Sequence, residues 1–309
     1  MRKYQVAVIL VNYNTSHYTL NCIQSIYRLT SSVNYQIIVI DNNSRREEFN
    51  KLSQLQGQER IQLVRSKINV GFSGANMMGV QLADADYYYF LNNDTILLND
   101  CLGILHQFME SNPHVANGSG EMINGKGVYE YNFRYFPTLA VKLFGPGLLR
   151  IFNPERFPSR HVRFKEPTRV DLVNGSSMFI RATAFEAIGG FDTTYFLYCE
   201  EEDIALRLSR QGYQTVLVPE AQYQHFENKS SASDSEIRLP YLREFYISFL
   251  YYYSKNYNRF YKLAIQFLYF FKLLRKFYKN LGYASLAFFV AAGAPAKHSL
   301  RFKQKISAE

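Results

Sequence analysis

The chain has 309 residues, of which 47% are hydrophobic, so its composition excludes a disordered protein and allows one large or two ordinary domains. Its cysteines, Cys22, Cys101 and Cys199, form no CxxC pair, which argues against a zinc or disulfide framework and favours a reducing compartment. The net charge of +9 lies mainly from Arg243 onward, where 12 Lys or Arg residues accompany two acids. Because 19 of the 49 residues in 241–289 are Phe or Tyr, the region favours a membrane interface, and single-stranded nucleic acid is the less favoured alternative.

Strands and helices alternate from the start of the chain. Residues 5–11 (QVAVILV) form a near-continuous apolar run that predicts a strand buried on both faces, and the run is too short for a signal peptide. A helical pattern over 20–29, an apolar strand within 36–44, a helix over 47–55 and a strand over 61–66 follow. The alternation predicts an α/β fold with a mostly parallel central sheet and helices on both faces.

Polar or glycine-rich residues follow each predicted strand. Ligands of such sheets bind beyond the carboxyl ends of the strands, so these loops are where a site is expected. None of the loops carries GxGxxG or GxxxxGK[ST], which excludes the dinucleotide and P-loop fingerprints. The loop residues are Asn12, Tyr13 and Asn14; Asp41, Asn42, Asn43 and Ser44; Gly71, Gly74 and Gly79 within 69–79; and Asn92, Asn93 and Asp94 after the aromatic strand 87–91.

Four consecutive acids at 200–203 open a second candidate region. Apolar residues recur at helical spacing after them, and Gly212 is placed to end the helix. The acids therefore lie in the first helical turn, where carboxylates complement the helix dipole. Acids are common at that position in any soluble protein, so the run by itself does not predict catalysis.

Five stretches in order carry a family resemblance. VNYN at 11–14, DNNS at 41–44, NVGFSGAN at 69–76, LNND at 91–94 and NGSSMFIR through GGFDTTYFLYCEEEDIALR at 174–207 resemble glycosyltransferase family 2. They are most similar to its rhamnosyltransferase-like branch of bacterial envelope enzymes, over roughly residues 4–255. The resemblance implies a GT-A fold over 1–240, with a variable acceptor-side flap at 117–169. The composition of 241–309 predicts a separate basic, aromatic helical region that associates with a membrane.

The resemblance also implies a divalent cation, Mg²⁺ or Mn²⁺, that neutralises the diphosphate of a nucleotide-sugar donor. Asp94 matches the last residue of the family's DxD-like motif, whose first acid is replaced here by Asn92. His225 in YQHFENKSS is the expected second protein ligand, because similar enzymes place a His, followed by Ser, at this site. Taken alone, Asp94 reads as a turn or helix cap and His225 as a structural residue.

An inverting transfer needs one carboxylate to take the proton from the acceptor hydroxyl. Aligned on the family's ED-x-D pattern, Glu201 takes the position of the base and Glu200 is the reserve candidate. Glu201 is one methylene longer than the Asp that similar enzymes carry. We expect Asp203 to orient the start of the helix and Glu202 to face solvent.

Further residues are expected to bind the donor. The loop after the second strand should face the nucleotide, where the Asp41 carboxylate could accept hydrogen bonds from the base or ribose. Gly175, after the strand 169–173, would let the backbone pass close to the donor sugar. Ordinary turn chemistry is the alternative for all of them. The predicted donor-binding residues are Asn12, Tyr13, Asn14, Asp41, Asn43, Asn69, Gly71, Asn92, Asn93, Asp94 and Gly175.

The region after residue 241 is expected to meet a membrane. In 243–257, Arg243 and Lys255 could contact a lipid diphosphate, with solvated surface charge as the equal alternative. Over 262–279, polar residues recur every three or four positions, which predicts a helix lying in the interface. The uncharged stretch 280–296 is short for a span, so a re-entrant or surface helix is favoured over a span or a dimer contact.

The sequence therefore predicts an inverting, metal-dependent glycosyltransferase, peripheral on the cytoplasmic face of the membrane. It would move a sugar, with L-rhamnose suggested by the branch, from a nucleotide diphosphate to a glycan or lipid-diphosphate-linked acceptor in envelope polysaccharide synthesis. The expected partners are that donor, that acceptor and an anionic membrane surface, with no nucleic acid and an optional homodimer through the C-terminal helices. A sugar nucleotidyltransferase and a non-catalytic membrane-bound scaffold that binds nucleotide sugars are the alternatives.

Overall fold

The computed structural model describes residues 2–226 and 239–306, which form a mixed α/β body followed by a helical region. In the first part, the elements are β1 (Tyr4–Asn12), α1 (Ser16–Leu29), β2 (Tyr35–Asp41), α2 (Arg46–Leu52), β3 (Ile61–Arg65), α3 (Gly71–Gln81), β4 (Ala85–Leu91), β5 (Thr95–Leu97), α4 (Cys101–Ser111), β6 (Val115–Asn124), β7 (Tyr129–Glu130) and β8 (Phe133–Arg134). They continue as α5 (Leu139–Phe152), β9 (Thr168–Val170), β10 (Leu172–Val173), β11 (Ser177–Arg181), α6 (Ala182–Ala187), α7 (Glu200–Arg210), β12 (Gln214–His225), α8 (Leu239–Asn256), α9 (Arg259–Leu274) and α10 (Gly282–Ala291).

The central sheet has the order β3-β2-β1-β4-β11-β6-β12-β5 and is largely parallel. β3, β2, β1 and β4 run parallel, as do β6 and β12, while β11 is antiparallel to both of its neighbours. The register pairs Asn12 with Asp41 at the carboxyl ends of β1 and β2. The loops that follow β1, β2, β3 and β4 therefore meet at one edge of the sheet, as the sequence predicts.

Two apolar cores cover the faces of the sheet. β2 is buried along its whole length, which explains why its sequence is a continuous apolar run rather than an alternating one. One core joins the sheet to α1 and α4 through Ile23 and Leu105. The other joins it to α3, α6 and α7 through Ala75, Phe185 and Ile204. Helices thus pack on both faces, which confirms the predicted layering.

The predicted lower bound of the flap at 117–169 is wrong, because residues 117–124 belong to β6 inside the central sheet. The stretch NGSG is typical of a turn, but here its small residues let neighbouring strands approach. A Cβ on Gly120 would lie 2.5 Å from the Ala221 carbonyl oxygen. Beyond β6, the segment contains α5, which a non-helical Gly145 (φ 75°) and Pro146 break into two pieces.

Helices α8, α9 and α10 share an aromatic core with the segment that precedes α7. Tyr246, Phe249 and Tyr253 of α8 are buried there together with Tyr195 and Cys199. The predicted helical character of the region is confirmed, whereas the domain boundary at residue 240 stays a prediction. Among residues 2–226 and 239–306, no helix is both long enough and apolar enough to cross a bilayer.

Candidate active site

A cleft of about 380 Å³ opens at the carboxyl edge of the sheet. Its volume falls in the range of small-molecule sites, about 300–1,000 Å³. Phe72, Phe196 and Leu197 supply apolar surface, and amide side chains supply most of the polar groups. The structure brings together in this lining six of the predicted donor-binding residues, which are Tyr13, Asn69, Gly71, Asn92, Asn93 and Asp94.

Other predicted donor-binding residues support the cleft from behind. The carboxylate of Asp41 is fully buried and accepts hydrogen bonds from Asn12 Nδ2 at 2.8 Å and from the Ser44 backbone N–H at 3.1 Å. Asn14 (φ 59°) accepts from the backbone N–H of Arg45 at 2.8 Å. These bonds tie the loops after β1 and β2 together. Direct contact of Asn12, Asn14 or Asp41 with a nucleotide stays a prediction, as it does for Asn43.

Gly71 fixes the wall on which α3 begins. Its φ is +78°, and a Cβ would lie 2.2 Å from the Phe196 carbonyl oxygen, so only glycine fits. The backbone N–H of Phe72 donates to the same oxygen at 2.8 Å. Through this contact, the first turn of α3 holds in place the segment that leads to the four acids of α7.

Asp94 and His225 form a pair at the β4 end of the cleft. His225 Nε2 lies 3.1 Å from Asp94 Oδ1, although 131 residues separate them, because β12 pairs with β5 directly after the Asp94 turn. The Nδ1 atom of His225 is buried and has no hydrogen-bond partner among residues 2–226 and 239–306. Within the described residues, no group of three or more His, Cys, Asp or Glu side chains could hold a metal alone. One carboxylate and one imidazole fit a divalent cation that completes its shell with donor phosphates and water.

The acids of α7 follow a strained turn. Tyr198 (φ 74°) and Cys199 (φ 67°) both adopt the left-handed conformation, which costs a non-glycine residue about 1–2 kcal/mol. The turn brings Glu200 into the interior, where Oε2 has no hydrogen-bond partner within the described chain. Burial and the neighbouring charge of Glu201 raise the pKa of Glu200 well above its usual range. Buried strain of this kind is typical of functional sites.

Arg134 neutralises the cluster from the opposite side. β8 pairs with β10 in a two-stranded sheet that directs the Arg134 guanidinium to α7. It donates to Glu201 Oε1 in a short ion pair and to Glu202 Oε1 at 2.8 Å. Although burial opposes it, the charges of Glu202 and Glu201 raise the pKa of Arg134. The guanidinium thereby fixes one oxygen of Glu201.

One prediction for the neighbouring charges is wrong. Glu202 does not face solvent, because Arg134 draws it inward, and burial raises the pKa of Glu202 to about 7 while Arg134 opposes that shift. Lys255, for which lipid contact and a solvated surface charge are the two alternatives, is ion-paired, since its Nζ donates to Asp192 at 2.8 Å and to Asp203 at 2.9 Å, and its contact with a lipid diphosphate stays a prediction. Asp203 also accepts from Arg207 Nε at 2.7 Å, which agrees with its expected role in orienting the helix start.

Gly175 connects the acidic cluster to the cleft. Gly175 lies against the carboxylate, since a Cβ on Gly175 would be in van der Waals contact with Glu201 Oε1 at 3.4 Å. The next residue, Ser176, accepts a hydrogen bond through its carbonyl oxygen from the Asn92 backbone N–H at 2.9 Å. Glu201 and the turn that carries Asp94 are thus joined by a single short loop.

Sequence reasoning missed three kinds of site residue. Arg134 lies in an aromatic segment without a motif, so no local pattern marks it. Phe196 and Leu197 lie in the family stretch, but apolar residues there read as core. Leu300 and Gln304 line the cleft from a segment more than 70 residues beyond the predicted site. Proximity in the fold, rather than sequence spacing, selects all of them.

The model of Glycosyl transferase family 2 matches residues 7–188, which is more than half of the chain. The chain belongs to glycosyltransferase family 2. All the strand-end loops that line the cleft fall within the matched residues, as do Arg134 and Gly175. α7 and His225 lie beyond them.

Two relatives carry rhamnosyltransferase names. Rhamnosyltransferase WbbL of Escherichia coli (strain K12) is 33% identical over 152 residues, covering 48% of this chain and 56% of that protein. N-acetylglucosaminyl-diphospho-decaprenol L-rhamnosyltransferase of Mycobacterium tuberculosis (strain CDC 1551 / Oshkosh) is 36% identical over 83 residues, which cover 26% of this chain and 27% of that protein. The matches therefore span about half or less of these relatives, and they agree with the family and branch that the sequence resembles.

Solved structures give the same fold at low identity. The crystal structure of GalNAc-T7 with UDP, GalNAc and Mn²⁺ has a TM-score of 0.61 at 14% identity, over 86% of this chain and 50% of that one. The mannosyltransferase PcManGT from Pyrobaculum calidifontis, in complex with GDP-Man and Mn²⁺, has a TM-score of 0.53 at 14% identity, over 94% and 76%. The predicted GT-A fold class is confirmed, and at this identity the likeness concerns the fold alone.

Proposed function

We propose that this family 2 chain transfers L-rhamnose from a nucleoside diphosphate to a hydroxyl group of a glycan or lipid-diphosphate-linked acceptor in envelope polysaccharide synthesis. The transfer inverts the anomeric carbon. The names of the two rhamnosyltransferase relatives support the choice of sugar. The observation that carries the proposal is the cleft, because its polar loops, its Asp94–His225 pair and its link to Glu201 provide for a donor and an acceptor at one edge of the sheet.

The donor would lie along the cleft with its diphosphate at Asp94. Asp94 and His225 would hold a divalent cation there, either Mg²⁺ or Mn²⁺, which would neutralise charge on the departing nucleoside diphosphate. Imidazole suits Mn²⁺ better than Mg²⁺, so we expect Mn²⁺ to support the higher affinity. The amides of Asn92 and Asn93 remain beside this end of the cleft and can donate to sugar or phosphate oxygens.

Glu201 would act as the general base. One of its oxygens is held by Arg134, and the carboxylate faces Gly175 at the loop that leads to Asn92. As the acceptor oxygen bonds to the anomeric carbon, its proton passes to Glu201 and the bond between that carbon and the diphosphate oxygen breaks. Glu200 fits this role less well, because burial and the neighbouring charge of Glu201 raise its pKa and thereby favour the protonated form, which cannot take up the acceptor proton.

A titration of nucleoside diphosphates tests the donor side. UDP, dTDP and GDP are each titrated calorimetrically into the wild-type chain with Mn²⁺ and with EDTA. We expect one of them to bind with Mn²⁺ and Asp94→Ala to weaken that binding by about 100-fold, since charge-assisted contacts contribute about 1.5–3 kcal/mol each. Asp86→Ala, on exposed surface outside the cleft, is the control. Binding of none of the three, or equal binding by Asp94→Ala, would contradict the proposal.

We also propose that the chain is peripheral on the cytoplasmic face of the membrane. α5 buries no residue, and α9 buries only Ile265 and Leu273. The two helices touch, because Lys272 Nζ donates to the Lys142 carbonyl oxygen at 2.6 Å. Their outward apolar side chains, here called the α5–α9 face, are Leu143, Phe144, Leu148, Ile151, Phe152, Phe260, Leu263, Phe267 and Phe271.

The charge around the α5–α9 face favours anionic lipid over a second copy of the chain. Neither 139–152 nor 259–281 contains an acid, whereas the two stretches carry eight Lys or Arg residues between them. Like charges would repel across a symmetric dimer interface, but they attract an anionic bilayer surface. The aromatic side chains would then enter the headgroup region, with α9 lying in the interface.

A further inference from the structure

The donor cleft has a wall that lies outside the residues matched by the family model. Residues 296–306, here called the return segment, follow α10 and pass back to the sheet. Leu300 and Gln304 of this segment line the cleft together with Tyr241 of α8. The sequence gives no sign of this role, because the segment is basic and carries no motif.

The return segment is anchored at several points. Glu244 of α8 is 1% exposed and accepts from Ser299 Oγ at 3.0 Å and from the Leu300 backbone N–H at 2.7 Å. The Arg301 guanidinium donates to the Thr194 carbonyl oxygen at 3.2 Å. These bonds tie the segment to α8 and to the chain before α7, so Leu300 is held against the cleft by buried polar contacts.

The segment covers the end of the cleft that is farthest from the metal-binding pair. The Lys305 carbonyl oxygen accepts from Asn43 Nδ2 at 3.1 Å, which places it at the loop after β2. Asp94 follows β4, and β1 lies between β2 and β4 in the sheet. Two strand spacings of about 4.8 Å separate the two ends by about 10 Å, roughly the distance from a diphosphate to its base.

The groups at this end suit a nucleoside. Leu300 offers an apolar surface, and Asn69 offers its amide Nδ2, while its Oδ1 is held by a 3.0 Å hydrogen bond from the buried Asn42. Gln304 donates through Nε2 to the Leu300 carbonyl oxygen at 2.8 Å, so its side chain is oriented and its Oε1 can accept from a base or ribose. A larger cavity of about 450 Å³ behind the return segment has no Asp, Glu or His in its lining and does not compete for a metal-bound diphosphate.

We propose that Leu300 and Gln304 form the nucleoside-binding wall of the donor cleft and determine which nucleoside the chain accepts. The inference rests on the proposed function, since it assigns the nucleoside of that same donor. It separates the cleft into two ends. The diphosphate end depends on Asp94 and His225, and the nucleoside end depends on the return segment.

Two probes distinguish these ends by calorimetry in Mn²⁺. The probes are the nucleoside diphosphate that the wild-type chain binds best among UDP, dTDP and GDP, and inorganic pyrophosphate. We expect Leu300→Ala and Gln304→Ala each to weaken nucleoside diphosphate binding by about fivefold to tenfold and to leave pyrophosphate binding unchanged. Asp94→Ala should weaken both. Phe302→Ala is the matched control, because it lies in the same segment, is 68% exposed and does not line the cleft.

Other outcomes separate the two claims. If both Leu300→Ala and Gln304→Ala bind the nucleoside diphosphate as the wild type does, the inference is wrong and the proposed function stands. An equal weakening of pyrophosphate binding would show a general distortion and would also overturn the inference. Gln304→Ala removes a partly exposed side chain and is expected to fold even if Leu300→Ala does not. If the wild-type chain binds none of the three nucleotides, the proposed function itself fails.

Discussion

The donor cleft and the acidic cluster of α7 are built in different ways. The cleft takes its polar groups mainly from loops at the ends of adjacent parallel strands, and most of these groups are neutral amides. The cluster concentrates carboxylates in the interior, after two strained residues, and its Glu201 and Glu202 share a single guanidinium from a distant segment. The cleft is therefore a preformed surface for binding, whereas the cluster is an electrostatic arrangement that one substitution can disturb.

The largest effect should come from Glu201→Gln, which keeps the shape of the side chain and removes the base. We expect kcat to fall by about 10²–10⁴-fold, the usual contribution of a general base, with the nucleoside diphosphate Kd unchanged. Turnover of the donor selected by titration is followed through release of nucleoside diphosphate. Glu59→Gln on the exposed surface is the control. An unchanged kcat would remove the acidic cluster from the reaction.

Arg134→Gln should have the next largest effect, because Arg134 is a positioning residue for Glu201. We expect kcat to fall by about 10–100-fold while the donor Kd stays the same. Without the guanidinium, protonation of the cluster becomes easier, so the acidic limb of the pH–rate profile should move to higher pH. Arg163→Gln is the control, since it breaks another Arg–Glu pair, with Glu121, in the same part of the chain. A loss of activity without movement of the limb would indicate a structural role only.

Substitutions in the α5–α9 face should have the third largest effect, and they should change membrane binding and leave the transfer reaction unchanged. Phe152→Ser and Phe267→Ser should each reduce sedimentation with vesicles of phosphatidylglycerol and phosphatidylcholine by about tenfold, since burying a Phe contributes about 1.5–3 kcal/mol. Val128→Ser is the exposed control outside this face. Equal sedimentation of all variants, or a wild-type dimer by light scattering that the Phe variants convert to monomer, would contradict membrane docking at this face.

Glu202→Gln should have the smallest effect, on the pH dependence of stability. The pKa of Glu202 rises from 4.5 to about 7 in the folded chain, so the folded state binds more protons between these values. The contribution of Glu202 to the free energy of unfolding must therefore fall as pH rises from about 5 to 7. Urea unfolding of Glu202→Gln should show a flatter slope than the wild type over this range. Parallel curves would mean that Glu202 keeps an ordinary pKa.

The sequence predicts the cleft better than the cluster for a physical reason. Adjacent strands bring their following loops together, so the residues after β1, β3 and β4 could be assigned to one site from their order alone. The assignment of His225 to the site required the family resemblance, because only the pairing of β12 with β5 brings His225 next to Asp94. Glu202 was misplaced because its direction depends on Arg134, and no local pattern marks that partner.

The predicted lower bound of the flap was wrong for a similar reason. Gly120 is typical of loops, yet in β6 it allows close strand packing that only the assembled sheet requires. The return segment shows the same limit at the cleft, because Leu300 reaches it through contacts with Glu244 and not through a motif. Local patterns identify elements and loop chemistry, while partners distant in sequence decide burial and charge.

The configuration of the first product tests the central claim most directly. Proton NMR of the sugar released by slow hydrolysis of the selected donor, recorded before mutarotation, reports which anomer forms first. A single displacement assisted by Glu201 predicts the anomer opposite to that of the donor. A first product with the donor's own configuration would contradict the account, because retention requires a second displacement or a different mechanism.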